Sequence, residues 1–397
     1  MPRENSVTYR RRRLAAFALL AALGLLAFLA LGSGDDGGAP ELTELTPEQV
    51  HQGQLEAEPV ELELSVSGDL LIHSPVFARA LALGGGSDYD FEPLFAELDP
   101  YVEDADLAIC HVEVPMSDAT PSGYPLFNTP PSLAEAIAAS GWDACSTASN
   151  HSLDQGQEGV VATGRALDRA GVEHTGSSAS EREQQRILML EAEGAKVAFL
   201  AYATDLNGLQ PPEPYSVDLT TDPREIIADA KRARRQGADA VIVNVHWGSE
   251  LVPEYVHEVG EAERRFATQV LAADEVTAVV GQGAHVVQPI DRVGGKYVVY
   301  GEGNLVSNQG AAVGLAEASQ DGLIAELDLV IDGDGDRVTG VRYVPIWVSQ
   351  PDYTVLPVGD ALEAGAADEA TLRASYERTV AAVGRGEGVE PVPARLP

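Results

Sequence analysis

Five times along this chain a short apolar run gives way to a histidine with a carboxylate, an amide or a glycine close by: His73, His111, His151, His246 and His285. The runs are of strand length, and helical stretches separate several of them. Strand, polar loop, helix is the rhythm of an α/β architecture. Residues 61–67 alternate apolar and polar side chains and stop at Gly68-Asp69, as a strand should. A helical stretch over 91–98 is closed by Asp99-Pro100, and a strand over 106–110 runs into His111-Val112-Glu113. The spacing predicts a helix over 133–139 and a strand over 142–147 that ends near Asn150-His151. The same grammar repeats with strands over 196–202, 238–245 and 276–280 and helices over 223–236 and 258–273. The basic tail of the first of those helices suits a C-terminal turn. A hairpin over 287–300 split by Gly294-Gly295, further strands over 322–344 and a closing helix over 369–383 complete the pattern. Parallel strands in the centre with antiparallel hairpins added are therefore expected.

The five histidines are accompanied by Asp69, Glu113, Asn150, Asp154 and Glu250. In open α/β sheets, ligands collect at the carboxyl ends of the strands. A mixed oxygen and imidazole set suits a divalent cation such as Mn²⁺, Zn²⁺ or Fe²⁺, so one or two ions are expected there. The remaining histidines, His51, His174 and His257, stand outside any motif.

The chain has 397 residues and a formal net charge of −36. Such a surface argues against nucleic acid as a partner, because phosphate backbones attract cationic faces. The basic residues are unevenly placed: Arg10, Arg11, Arg12 and Arg13 run directly into an apolar stretch over 14–31. That length is close to the ~20 residues a membrane-spanning helix needs, and Arg-rich flanks face the cytoplasm. The expected layout is a cytoplasmic basic tail over 1–13, a single-pass anchor over 14–32, a linker over 33–60 and an extracytoplasmic domain over 61–397. A cleaved signal peptide is the rival reading; its apolar core usually runs only about 7–15 residues. Two cysteines, Cys110 and Cys145, fall near the ends of predicted core strands. Outside the cytoplasm they can pair; equally, each reads as a small buried hydrophobe.

Six strings carry a more specific resemblance: S-G-D-L-L-I-H (67–73), H-V-E-V-P (111–115), A-S-N-H-S-L-D-Q-G (148–156), H-W-G-S-E (246–250), G-A-H-V-V-Q-P (283–289) and Y-G-E-G-N-L-V (300–306). In this order they resemble the motif series of the CapA-type family of capsule, or poly-γ-glutamate, biosynthesis, over roughly residues 61–350. The resemblance implies the calcineurin-like metallophosphatase architecture, an αββα sandwich with mixed sheets, here preceded by an N-terminal transmembrane helix. It implies Asp69 and His285 as ligands of a first metal and Glu113 as a bridging or near-bridging carboxylate. His73, just past Asp69, reads either as a further ligand of the first metal or as a surface residue at a helix N-terminus. Asn150 and His246 are implied as ligands of a second metal, and His151 as a proton donor, with Asp154 and Glu250 also placed in catalysis.

Two positions depart from the family pattern. Gly283 stands where a histidine ligand to the second metal is usual, and His111 stands where asparagine is usual. Ser149, where asparagine is common, is a milder change. His111 compensates for Gly283 or is drift; the sequence leaves both open. Among weaker signals, the run Asp332-Gly333-Asp334-Gly335-Asp336 reads as a hairpin turn, since no Glu follows where a calcium loop needs one. Gly84-Gly85-Gly86 reads as a flexible turn, and Trp247 as a packing or pocket residue. The expected function is the making, retention or remodelling of an anionic cell-surface polymer, by a metal-dependent hydrolase acting on a phosphoester or a γ-glutamyl polymer. The alternative is a non-catalytic accessory subunit that binds membrane-bound polymer synthase subunits or their product.

Overall fold

The computed structural model describes residues 58–248 and 251–394. The predicted tail, anchor and nearly all of the linker lie outside the described residues, as does Glu250. Among the described residues no helix is long and apolar enough to cross a membrane.

Fifteen strands follow one another in the described part: β1 (Val60–Leu70), β2 (Leu107–Val112), β3 (Ala144–Ser146), β4 (Glu173–Thr175), β5 (Leu188–Ala192), β6 (Ala195–Ala203), β7 (Ala240–His246), β8 (Ala278–Gln282), β9 (Ile290–Val293), β10 (Lys296–Val299), β11 (Asn304–Val306), β12 (Asp321–Asp332), β13 (Gly335–Val348), β14 (Val355–Pro357) and β15 (Val389–Pro391). They build two mixed sheets. The first runs β14-β13-β12-β1-β2-β3-β4, with β11 beside β1 and β15 beside β13; the second runs β5-β6-β7-β8-β10-β9. The β1 to β4 set and the β6, β7, β8 and β10 set are parallel, and antiparallel partners flank both. Parallel centres with added hairpins are thus what forms.

Strand periodicity explains the layering, because alternate side chains leave opposite faces of a sheet. Leu64, Ile109, Phe199 and Ile242 share one core between the sheets with Leu327 and Val341. Their chain neighbours point the other way. Ala108 and Cys110 pack under the helices Ser132–Ala139 and Gly156–Ala170 on one outer face. Ala198, Leu200, Val241 and Val243 pack under Pro223–Arg235 and Glu261–Leu271 on the other. Helix, sheet, sheet, helix is the resulting order.

Several local expectations shift. The first strand continues through Gly68-Asp69 rather than stopping there, because β11 lies alongside and accepts from it: the Asp69 amide donates to Gly303 O at 3.1 Å. A Cβ at position 68 would stand 1.9 Å from that same oxygen, so glycine is required for the approach. Asp99-Pro100 does not close the helical stretch. Pro100 instead occupies the first turn of a new helix, Asp99–Glu103, where its missing N–H costs nothing. The helix Gly156–Ala170 carries three glycines in its sequence, which masks its period. The acidic run at 332–336 is a tight hairpin, Asp332 pairing with Gly335. Gly84-Gly85-Gly86 forms the turn after the helix Ser74–Leu83, with φ of 76° and 84° at the last two. Cys110 and Cys145 are directly paired in the β2–β3 register and joined by a disulfide.

Candidate metal centre

The carboxyl ends of β1, β2 and β7 and the loop after β8 converge where the two sheets meet. Register places Asp69 beside His111 across β1–β2 and beside Asn304 across β1–β11. Asp69 and Glu113 are 0 % exposed, His111 and His246 1 %, and His285 4 %. The Asp69 carboxylate faces two ways: Oδ2 lies 3.0 Å from His285 Nδ1, and Oδ1 lies 3.7 Å from His111 Nε2. His285 Nε2 stands 3.8 Å from Glu113 Oε1. His111 Nε2 stands 3.0 Å from His246 Nδ1, the rings stacked at 5.1 Å. Two ligand-type groups result, Asp69–Glu113–His285 and Asp69–His111–His246, each with its atoms within 4.8 Å of one another. Asp69, rather than Glu113, is the residue common to both.

The surroundings hold these groups in place. His285 has a left-handed backbone, φ 56°, a costly conformation for a non-glycine residue. It is braced by the Tyr255 amide donating to Ala284 O and by the Tyr255 ring at 5.8 Å. Asn304 donates from Nδ2 to Gln309 Oε1 and Ser319 O, both at 2.9 Å, which turns its Oδ1 to within 3.1 Å of His285 Nδ1. The Nδ1–H is thus shared between Asp69 and Asn304, and Nε2 is left towards Glu113. Such outer partners set the tautomer of a ligating histidine. Asn304 was not among the expected site residues, although the quoted Y-G-E-G-N string contained it. The Ser149 hydroxyl donates to Glu113 O and accepts from the His151 amide; that one side chain ties the two loops together.

Burial sets the protonation of the imidazoles. It pulls His111 down to about 3, and together with neighbouring His111 it holds His246 well below its ordinary value. Both are neutral, the form that ligates. Burial pushes Glu113 up, and the charge of the neighbouring His285 ring opposes that push. Burial alone would lower His285 too, but the Glu113 charge and the Asp69 carboxylate outweigh it and raise the ring to about 10. A metal ion ligated by His285 must displace that proton. Apparent affinity for Mn²⁺ should therefore climb with pH between pH 7 and 9. Calorimetric titration in buffers of differing ionisation enthalpy measures both the slope and the proton released; a flat profile would show that His285 gives up no proton to the ion.

The donor set fits a divalent cation. Asp69 Oδ1, both Glu113 oxygens and Asn150 Oδ1 are buried without a hydrogen-bond partner among the described residues. Carboxylate oxygens left so are costly by several kcal/mol unless a cation pairs with them, and mixed carboxylate and imidazole donors suit Mn²⁺, Zn²⁺ or Fe²⁺.

The other expected residues are placed differently. His151 Nδ1 is 2.8 Å from Asp154 Oδ2, which also accepts from the Phe127 amide at 2.7 Å. Asp154 therefore orients His151 and the loop before it. His151 Nε2 is left facing Asn207 Nδ2 at 3.5 Å, and Asn207 Oδ1 lies 3.4 Å from Asn150 Nδ2. Asn207, on the loop after β6, had no motif to mark it. His73 joins neither group: its Nδ1 lies 3.1 Å from Leu71 O and 3.3 Å from the Asn308 amide nitrogen, and the ring packs edge-on against Phe127. Trp247 is a packing residue, buried against Phe266 with Nε1 donating to Tyr300 O.

With this geometry in view, the match to known proteins is specific. Residues 63–309 fit the family described as bacterial capsule synthesis protein PGA_cap. The chain belongs to that family. Among curated relatives, this PGA_cap chain is 24% identical over 260 residues to the capsule biosynthesis protein CapA of Bacillus anthracis, covering 63% of this chain and 60% of that protein. It is 28% identical over 167 residues to the PGA biosynthesis protein CapA of Bacillus subtilis, covering 41% and 42%. It is 26% identical over 219 residues to a probable polyglutamine synthesis accessory protein of Mycobacterium tuberculosis, covering 52% and 56%. The chain thus spans about half the length of the curated relatives it matches. Similar solved structures include the calcineurin-like phosphoesterase YfkN of Bacillus subtilis, at 12% identity and a TM-score of 0.44, covering 80% of this chain and 100% of that one. Another is the NAD nucleotidase of Haemophilus influenzae, at 12% identity and a TM-score of 0.46, covering 85% and 65%.

Proposed function

We propose that this PGA_cap protein is a divalent-metal-dependent hydrolase that builds or remodels an anionic capsule polymer of the poly-γ-glutamate type at the outer face of the cell membrane. The observation that carries the reading is the pair of buried histidine–carboxylate groups sharing Asp69. A divalent cation held there would supply Lewis-acid polarisation of a phosphoryl or carbonyl oxygen. Asp69 and Glu113 supply the negative charge that holds it, and neutral His111 and His246 supply lone pairs. His151 serves as general acid: Asp154 keeps its Nδ1 occupied, so Nε2 is the atom presented to a leaving group. A metallophosphatase-like sandwich is a suitable frame, since it delivers ligands from both sheets to one rim.

The location rests on two features. The apolar run over 14–31 behind four arginines supports a single-pass anchor with the domain outside, and the Cys110–Cys145 disulfide suits an oxidising compartment. Partners are then the anionic polymer and membrane-bound synthase subunits, with nucleic acid excluded by charge. The name of the mycobacterial relative, an accessory protein, favours a second reading as a non-catalytic subunit. Detergent-solubilised full-length protein, assayed for bound metal and for cleavage of generic phosphodiesters and γ-glutamyl peptides, separates the two. Metal-dependent turnover is expected. Metal retention with polymer binding but no turnover would leave the accessory role, and absence of both metal and turnover would sink the enzyme.

A further inference from the structure

The family histidine missing at position 283 cannot be restored on this backbone. Gly283 has φ +96°, and a Cβ there would stand 2.5 Å from Trp247 O and 3.0 Å from His246 Nε2. A side chain at 283 collides with the strand end that carries the neighbouring ligand. The chain instead presents an imidazole from the other sheet. His111 lies near the end of β2, opposite Asp69 of β1 on one side and Ser146 of β3 on the other in the sheet register. Its Nε2 lies 3.0 Å from His246 Nδ1 and 3.7 Å from Asp69 Oδ1.

Ligand atoms at about 2.0–2.1 Å from one ion stand roughly 2.8–3.4 Å apart in right-angled to tetrahedral arrangements. The observed separations match that spacing on one side and need only a small closure on the other. A bare hydrogen bond between the two rings is the competing explanation. It would leave Asp69 Oδ1, fully buried, with no partner among the described residues, whereas a cation engages all three atoms.

We propose that His111 takes over the role lost at Gly283, so that a second divalent cation is held by Asp69, His111 and His246 and shares Asp69 with the ion at Asp69–Glu113–His285. This inference rests on the metal-dependent reading above. The two departures from the family pattern are then one exchange, an imidazole moved from the loop after β8 to the end of β2.

The test uses full-length protein stripped and reloaded with Mn²⁺, with metal per chain measured after desalting and the spin state read by electron paramagnetic resonance. The unaltered protein should hold two ions with a spin-coupled signal. His111→Ala and His111→Asn should each hold one, with the uncoupled six-line signal of isolated Mn²⁺, and each should keep a native circular dichroism spectrum. The asparagine variant guards against a folding defect in the alanine one. His285→Ala should also hold one, the other ion having gone. Two coupled ions surviving in both His111 variants would overturn the role of His111 while leaving the metal-dependent reading intact. So would a single ion in the unaltered protein that both His111 variants retain. No ion in the unaltered protein would overturn both.

Discussion

Asp69→Ala should strip the protein of both cations and lower metal-dependent hydrolysis by on the order of 10³-fold or more. Asp69 is the residue that the two groups share. Its two oxygens point to His285 and His111 from one buried position, and β1 is fixed there by pairing with β2, β11 and β12. Glu113, His246 or His285 each belong to a single group, so loss of any one should leave one ion behind. The contrast is what makes the experiment informative. Metal analysis of Asp69→Ala beside Glu113→Ala should give none against one. Equal stoichiometry in the two variants would show that Asp69 is not the shared ligand. Far-UV circular dichroism should be unchanged, since Asp69 sits at a strand end and its backbone bonds do not depend on the carboxylate.

The Cys110→Ala, Cys145→Ala double variant should lose about 3–4 kcal/mol of stability, the chain-entropy value for closing a loop between cysteines separated by 35 positions in sequence. Both cysteines are buried and directly opposite one another in adjacent strands, with Cα atoms 4.5 Å apart. The native state therefore needs little rearrangement to form the bridge, and the unfolded chain bears most of the constraint. Urea denaturation with and without a reductant measures it: the midpoint of the unaltered protein should fall on reduction and the variant should not respond. An unchanged midpoint would mean that the bridge contributes nothing. Because His111 follows Cys110 directly, the same variant should also hold metal more weakly.

Local chemistry made much of this fold legible. Alternation marked β1, and short apolar runs marked β2, β3, β6, β7 and β8, because a strand's two faces are written into successive residues. The hairpin at 332–336 followed from its turn residues. The helix Gly156–Ala170 was not foreseen, since its glycines blur the helical period, whereas the reading of His73 as a residue at a helix N-terminus matches its place as the N-cap of Ser74–Leu83. The end of β1 was placed too early because only the neighbouring Gly303 carbonyl explains why Gly68 belongs inside a strand.

The site divides in the same way. Composition and motif order determined the donor types, the strand-end positions and the family. They did not determine which donors meet. His73 is four residues from Asp69 yet its Nδ1 lies against Leu71 O and the Asn308 amide, whereas His111 reaches His246 across 135 residues of chain. Asp69 became the shared carboxylate only once β1 was set beside β2. Gly283 proved closed to any side chain only once the Trp247 carbonyl was packed against it. Residue type is local and can be read along a chain. A metal site is a coincidence of atoms within a few ångströms, and only the packing of two sheets brings those atoms together.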